Sequence, residues 1–159
     1  MVLHGEKDFF ISNKDKCIHS QLVLLPTIMQ HFTLNQEDHE LIEQARQLIR
    51  TRNSERHAVA AALYTSSGKI YLGLHLETYV GRAAVCAESI AIGNAALTGD
   101  TGIQTLVAVY RNQEIVSPCG ICRELIMDYA PLAKVILQEE NRMYKIGIQD
   151  LLPQKYRRK

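Results

Sequence analysis

The stretch "CAESIAIGNAAL", Cys86 to Leu97, decides how the rest of the chain reads. It is rich in alanine and almost wholly apolar, which suits a buried helix, and Gly99 stands just past its end, where a helix stop belongs. Working back from it, "HAVAAALYT" (His57 to Thr65) and "KIYLGLHLE" (Lys69 to Glu77) are strand-like runs around Ser66, Ser67 and Gly68, the pattern of a β-hairpin. Further back, Asn35 with Asp38 three residues on marks a helix start. Leu41, Ile42, Ala45, Leu48 and Ile49 then form one apolar stripe at helical spacing. Working forward, "QTLVAVYR" (Gln104 to Arg111) is an apolar strand. Ser117 and Pro118 read as the cap and first residue of another helix, "CGICRELIMDYA". "AKVILQ" (Ala133 to Gln138) and "MYKIGI" (Met143 to Ile148) close as strands. The order α-β-β-α-β-α-β-β predicts a single α/β domain, a mixed sheet covered by helices, over residues 33–159.

Residues 1–32 show no sustained period and read as an irregular N-terminal extension, with Met29 an alternative start to Met1. The 159 residues suffice for one domain with a real core, and 47% hydrophobic with 22% charged residues is ordinary for a soluble protein. A net charge of +1 and 6% aromatics give no footprint for nucleic acid. The basic cluster Lys155, Arg157, Arg158 and Lys159 reads as a solvated tail. "LVLLPTIM" (Leu22 to Met29) is short and broken by Pro26, so neither a secretory signal nor a membrane span is expected. A reducing, cytoplasmic compartment follows as the default, in which cysteines serve metals or catalysis sooner than disulfides.

Of the four cysteines, Cys17 falls in the extension and reads as an incidental thiol. Cys119 and Cys122, in "SPCGICRE", sit three apart at a predicted helix start, and Cys86 opens the other helix. Helix N-termini favour thiolates, and zinc needs thiolates. Alone, the Cys119–Cys122 pair is equally a redox pair or half of a structural zinc site. If the two helix starts meet, Cys86 supplies a third ligand, and three ligands with an open position is the catalytic zinc arrangement. His57 and His75 are possible further ligands but are not required. Glu88 lies two residues after Cys86 on an apolar helix, where a carboxylate is costly without a partner or a task. A zinc-activated water beside a buried glutamate is the apparatus for hydrolysis at an electron-poor carbon. Positions i and i+2 of a helix diverge, so convergence requires Cys86 to be the cap residue.

"CAE" followed by "PCGIC" resembles the (H/C)-x-E…P-C-x-x-C signature of the cytidine deaminase superfamily. "SPCGxCR" and "LLPxxY" (Leu151, Leu152, Pro153, Tyr156) resemble its small nucleoside branch, the cytidine and blasticidin S deaminases. The resemblance spans residues from about 34 to 157. It implies a three-layer sandwich, a five-stranded mixed sheet with helices on both faces. It implies zinc on Cys86, Cys119 and Cys122, with Glu88 as proton shuttle for hydroxide attack on C4 of a cytosine-like ring and release of ammonia. It also implies a homo-oligomer, commonly a tetramer with sites that borrow residues from neighbours, and it places Tyr156 at an aromatic that covers the base. An ordinary tail anchor is the plain alternative for Tyr156.

The match departs from the family pattern where cytidine deaminases read the ribose. Their N-x-E becomes "LHLE", so His75 replaces the asparagine while Glu77 keeps the glutamate place. His57 replaces the phenylalanine that opens the first strand. Both histidines are expected at the substrate, with a hydrogen bond inside the sheet as the plain reading of each. The arginine that often follows the catalytic glutamate is Ser89. Three thiolates on one zinc leave net negative charge, so Arg123 or Arg82 is expected to compensate it; a solvated loop arginine is the plain reading of Arg82. The expected substrate is a small free aminopyrimidine, with cytidine or deoxycytidine in pyrimidine salvage placed first. A blasticidin S-type antibiotic is the alternative, and a non-catalytic zinc-binding domain the second alternative. Nucleic-acid and membrane partners are not expected.

Overall fold

Three consecutive alanines, Ala60, Ala61 and Ala62, run along strand β2 (Val59–Thr65), and all three are fully buried. A strand covered on both faces needs apolar residues without alternation, and small ones let the covering layers approach. The computed structural model, which describes residues 29–157, builds both layers around this strand. Cys17, the choice of start, Arg158 and Lys159 lie outside the described residues.

The elements follow in the order β1 (His31–Phe32), α1 (Gln36–Arg52), β2, β3 (Ile70–Leu74), a 3-10 turn (Gly81–Ala83), α2 (Ala87–Leu97), β4 (Ile103–Tyr110), α3 (Gly120–Tyr129), β5 (Lys134–Glu139), β6 (Arg142–Gly147) and the short α4 (Ile148–Leu151). The sheet runs β1-β6-β5-β4-β2-β3, with β4 and β5 parallel and every other pair antiparallel. Strand alternation divides the core in two. Ala60, Ala62, Val107, Val109 and Ile136 face the α1 stripe of Leu41, Ile42, Ala45 and Ile49. Ala61, Leu63, Leu106, Ala108, Val135 and Leu137 face Ala91, Ile92 and Ala95 of α2 and Cys122 and Ile126 of α3. The predicted three-layer α/β sandwich is therefore the observed one.

The strand count is six, where five were expected. The addition is β1, which begins inside the segment read as irregular. It pairs His31 with Ile146 and Phe32 with Lys145 at the sheet edge. The His31 ring stacks on Tyr144 at 4.1 Å, and Lys134 Nζ sits 4.1 Å above the Phe32 ring. Two residues are too few to show a period, so the strand is silent in the sequence. The α1 start is as read: Asn35 accepts the Asp38 N–H at 2.9 Å, and Asp38 accepts the Asn35 N–H at 2.8 Å, a complete capping box. The hairpin turns at Gly68, whose φ of +81° suits glycine.

This topology positions the site. Strands β3 and β4 are each antiparallel to β2, so they run the same way and end at the same edge of the sheet. Helices α2 and α3 follow them and pack on the same face, so both helices begin at that edge. Gly73, near the end of β3, brings α2 close. A Cβ there would lie 2.1 Å from the Ala87 carbonyl oxygen and 2.5 Å from the Ala91 nitrogen. Only a bare backbone admits the helix at this distance.

Candidate metal centre

Cys86 is the N-cap of α2 and Cys119 the N-cap of α3, both with extended backbone. The cap of α3 is thus two residues later than Ser117, which was read as the cap, and one later than Pro118, which was read as the first helical residue. Ser117 is engaged elsewhere, accepting a hydrogen bond from Arg123 Nη2 at 3.0 Å. Cap positions turn both thiols out of the helical spiral and toward one another. The Cys86 and Cys119 sulfurs are 3.7 Å apart, and with Cys122 all three sulfurs lie within 4.8 Å of one another. Cys122 is fully buried and Cys119 exposed, so the cluster spans from core to surface.

The electrostatics of the three thiols differ. Burial pushes Cys86 up, and the neighbouring Cys119 and Glu88 add to the rise. Burial also drives Cys122 far up, reinforced by Glu88, Cys86 and Cys119. For Cys119 burial acts upward too, but the N–H groups of Cys122 and Ile121 and the adjacent thiols outweigh it, and the net direction is down. One sulfur therefore leans to thiolate while further negative charge beside it is opposed. A dication reverses that balance. Three convergent sulfurs with such a charge conflict fit zinc, and no fourth protein ligand atom joins the group among the described residues.

Glu88 lies in the first turn of α2 and is 5% exposed. Burial pushes its carboxyl up, partly offset by its own backbone N–H, by Cys122 and by the His75 ring. Cys86 at the cap is what allows the i and i+2 side chains to share one cleft of about 130 Å³. Val59, His75, Ala87, Val116, Ser117 and Cys119 complete its lining. A larger hollow, about 580 Å³, opens at the opposite end of the sheet among Asn35, Asp38, Lys134 and Lys145. Size does not locate the chemistry, since that hollow holds no thiol, and its Asp38 and Lys145 are paired at 2.6 Å.

The other predicted residues divide. His75 lines the cleft, and its Nδ1 is buried with no hydrogen-bond partner among the described residues. His57 does not line the cleft; its Nδ1 donates to the His75 carbonyl at 2.8 Å. Glu77 stands at the rim, with Oε2 3.8 Å from His75 Nε2, in a separate hollow with Glu55, Arg56 and Tyr79. Arg123 grips the approach to α3, donating from Nε to the Pro118 carbonyl at 2.9 Å and from Nη1 to the Leu151 carbonyl at 3.3 Å. Arg82 is exposed in the 3-10 turn, on a loop closed by the Leu76–Val85 bridge that begins after His75 and ends before Cys86. Tyr156 is 73% exposed and outside the cleft of its own chain, its N–H bonded to Glu124 Oε1 at 3.3 Å. Sequence reasoning missed Val59, Val116 and Gly73. The first two look like ordinary strand and loop residues, but a glycine inside "YLGLH" is a readable sign of close backbone approach.

Fold and site together place three convergent cysteines and a buried acid at the starts of two helices, a group that fits a zinc ion. The region described as the cytidine and deoxycytidylate deaminase zinc-binding region matches residues 35–139. The chain is 42% identical over 139 residues to a blasticidin-S deaminase of Bacillus cereus, covering 82% of this chain and 99% of that one. A probable cytidine deaminase of Dictyostelium discoideum is 29% identical over 129 residues, 76% of this chain and 84% of that one. Among solved structures, cytidine deaminase from Burkholderia pseudomallei superposes with a TM-score of 0.65 at 27% identity, covering 74% of this chain and 98% of that one. The chain belongs to the cytidine and deoxycytidylate deaminase family and is a zinc-dependent hydrolytic deaminase.

Proposed function

We propose that this protein deaminates a small free aminopyrimidine of the blasticidin S type, one whose appendage is not a plain ribose. The observation that carries the reading is His75. It lines the cleft beside Glu88 with an unsatisfied ring nitrogen, at the place where the cytidine deaminase pattern has an asparagine. The likeness to the Bacillus cereus deaminase, which runs nearly the whole length of that protein, supports the same choice.

Cys86, Cys119 and Cys122 would hold the zinc, which would supply a Lewis acid that lowers the pKa of a water toward neutrality. Glu88 carries the protons. Its buried carboxyl, pushed up by desolvation, gives a proton to the ring nitrogen, takes one from the water, delivers it to the departing amine, and recovers the proton left on the added oxygen as the carbonyl forms. Water is added, the C–N bond breaks, a carbonyl replaces it, and ammonia leaves. Val59 and Val116 flank the cleft with apolar surface that suits a flat ring. His75, with Glu77 behind it, reads the appendage. Arg123 holds the Pro118 carbonyl and the Ser117 hydroxyl beside Cys119 and offsets the excess negative charge of three thiolates on one dication.

Cytidine or deoxycytidine, in pyrimidine salvage, is the second reading. Glu77 keeps the place of the ribose-reading glutamate, close to the His75 ring. A bare zinc-binding role leaves the burial of Glu88 without a reason. Exposed Leu97, Ile121 and Tyr156 support a homo-oligomer in which tail and helix faces meet neighbouring copies. Three clustered thiols fit a reducing cytoplasm, and no helix among the described residues is long and apolar enough to cross a membrane. The test is ammonia release by zinc-loaded protein given blasticidin S and cytidine separately, with Glu88→Ala as blank. Release from blasticidin S and not from cytidine is the expected result. Cytidine turnover alone moves the protein to the second reading.

A further inference from the structure

The regular β2–β3 ladder ends at Ala60 opposite Leu74, yet the chain that follows is held as firmly as the strands. The His75 N–H donates to the Val59 carbonyl at 2.9 Å, and the Glu77 N–H donates to the Arg56 carbonyl at 2.9 Å. Between these two bonds lies the His75 carbonyl. An antiparallel ladder would satisfy it with a backbone N–H from the β2 side. The residue opposite His75 is Val59, whose N–H makes no such bond among the described residues, and the His57 N–H and carbonyl are both engaged with Ser54, at 3.2 Å each, in the tight turn that enters β2. The His57 side chain fills the gap, with Nδ1 donating to the His75 carbonyl at 2.8 Å. A carbonyl only accepts, so the proton is on Nδ1.

The His75 ring has no comparable anchor. Its Nδ1 has no partner among the described residues, and its Nε2 stands 3.8 Å from Glu77, beyond a hydrogen bond. Where this ring stands in the cleft is therefore set by the backbone that carries it. We propose that His57 is a positioning residue. By substituting for a missing ladder bond it fixes the His75 backbone, and through it the His75 ring against Glu88 and the substrate's appendage. The proposal rests on the deaminase reading for its catalytic consequence, but the contact stands on geometry alone.

The variants that separate this role from others are His57→Asn and His57→Leu. Asparagine carries an N–H donor close to the place of Nδ1; leucine keeps bulk and removes the donor. The first measurement is a long-range proton–nitrogen spectrum of the zinc-loaded protein. It should show His57 as the Nδ1–H form and should show the His75 ring resonances kept in His57→Asn and shifted in His57→Leu. This readout needs no substrate, so it stands even if neither blasticidin S nor cytidine is turned over. With whichever of the two is deaminated, His57→Leu should raise KM by about tenfold, in keeping with one lost hydrogen bond, with kcat and bound zinc unchanged. His57→Asn should restore KM. The proposal is overturned by His75 resonances that ignore both substitutions, or by an asparagine variant as impaired as the leucine one, which would mean that His57 meets the substrate itself. A loss of zinc or kcat together with KM in His57→Leu would also overturn it, marking a merely structural histidine.

Discussion

The two ends of the sheet are built from similar polar groups and treat them oppositely. At the end where β2 stops and β3 starts, the polar side chains have partners. Asp100 Oδ2 accepts from the hydroxyls of Thr65 at 2.8 Å, Ser67 at 2.6 Å and Tyr71 at 3.1 Å, and Tyr71 also meets Thr98 Oγ1 at 2.7 Å. Asp38 is buried there too, but it has Lys145 and the Asn35 N–H. At the end where α2 and α3 begin, a buried carboxyl, three crowded thiols and an imidazole nitrogen without a partner are held together. Buried polar groups are ordinarily satisfied, and each exception calls for a reason. The lesson is that one end of this sheet pairs its polar side chains, while the other gathers a buried acid, three thiols and an imidazole nitrogen without pairing them so fully.

The sharpest way to break the contrast is to remove a thiol. Cys122→Ser should lower zinc affinity by more than about 100-fold and abolish turnover, measured as metal content after dialysis against a chelator and as ammonia release. Glu88→Gln should keep zinc and lower kcat by a factor of about 100 to 10,000. It also sharpens the contrast through stability. The folded Glu88 carboxyl titrates above its ordinary 4.5, so its contribution favours the fold at low pH and is lost as pH rises through the raised value. In metal-free protein the glutamine variant should therefore melt at or above the wild-type temperature on the alkaline side of that window. A glutamine variant that melts lower at every pH would show that the acid stabilises the fold.

At the other end the signs reverse. Lys145→Met strands the buried Asp38 carboxylate and should destabilise the fold by about 3 kcal/mol in urea unfolding, with KM unchanged. Asp100→Asn should have the smallest effect. Its carboxyl is held below the ordinary 3.8 chiefly by the Ser67 hydroxyl, with Thr65 and Tyr71 adding to this against a smaller opposing desolvation. That contribution is present above 3.8 and lost as pH falls through the lowered folded value. The variant should lower the melting temperature slightly at neutral pH and flatten its fall in acid. A KM change in either variant would erase the division between the two ends.

Much of this was legible in the chain. Helical spacing marked α1, alanine content marked α2, and apolar runs marked the four long strands and the hairpin strand β3, because each pattern is local and repeats. The meeting of Cys86, Cys119 and Cys122 beside a buried Glu88 was legible because their spacing is chemical as well as structural. What stayed hidden depended on partners far away in sequence. His57 looks like a cleft residue until its Nδ1 is seen to be engaged by the His75 carbonyl. Ser117 looks like a cap until Arg123 is seen to hold it. β1 exists only because β6 and Tyr144 are beside it.

The Leu76–Val85 bridge has a consequence of its own. It pins both ends of the loop that carries Tyr79, Val80 and Arg82, so the separation between His75 and Cys86 is set by two backbone hydrogen bonds, not by the loop's contents. The loop is an interchangeable cassette. Its length and side chains can drift or be redesigned while the metal and the histidine keep their spacing, which gives a lineage, or an engineer, room to change what meets the cleft without rebuilding the cleft.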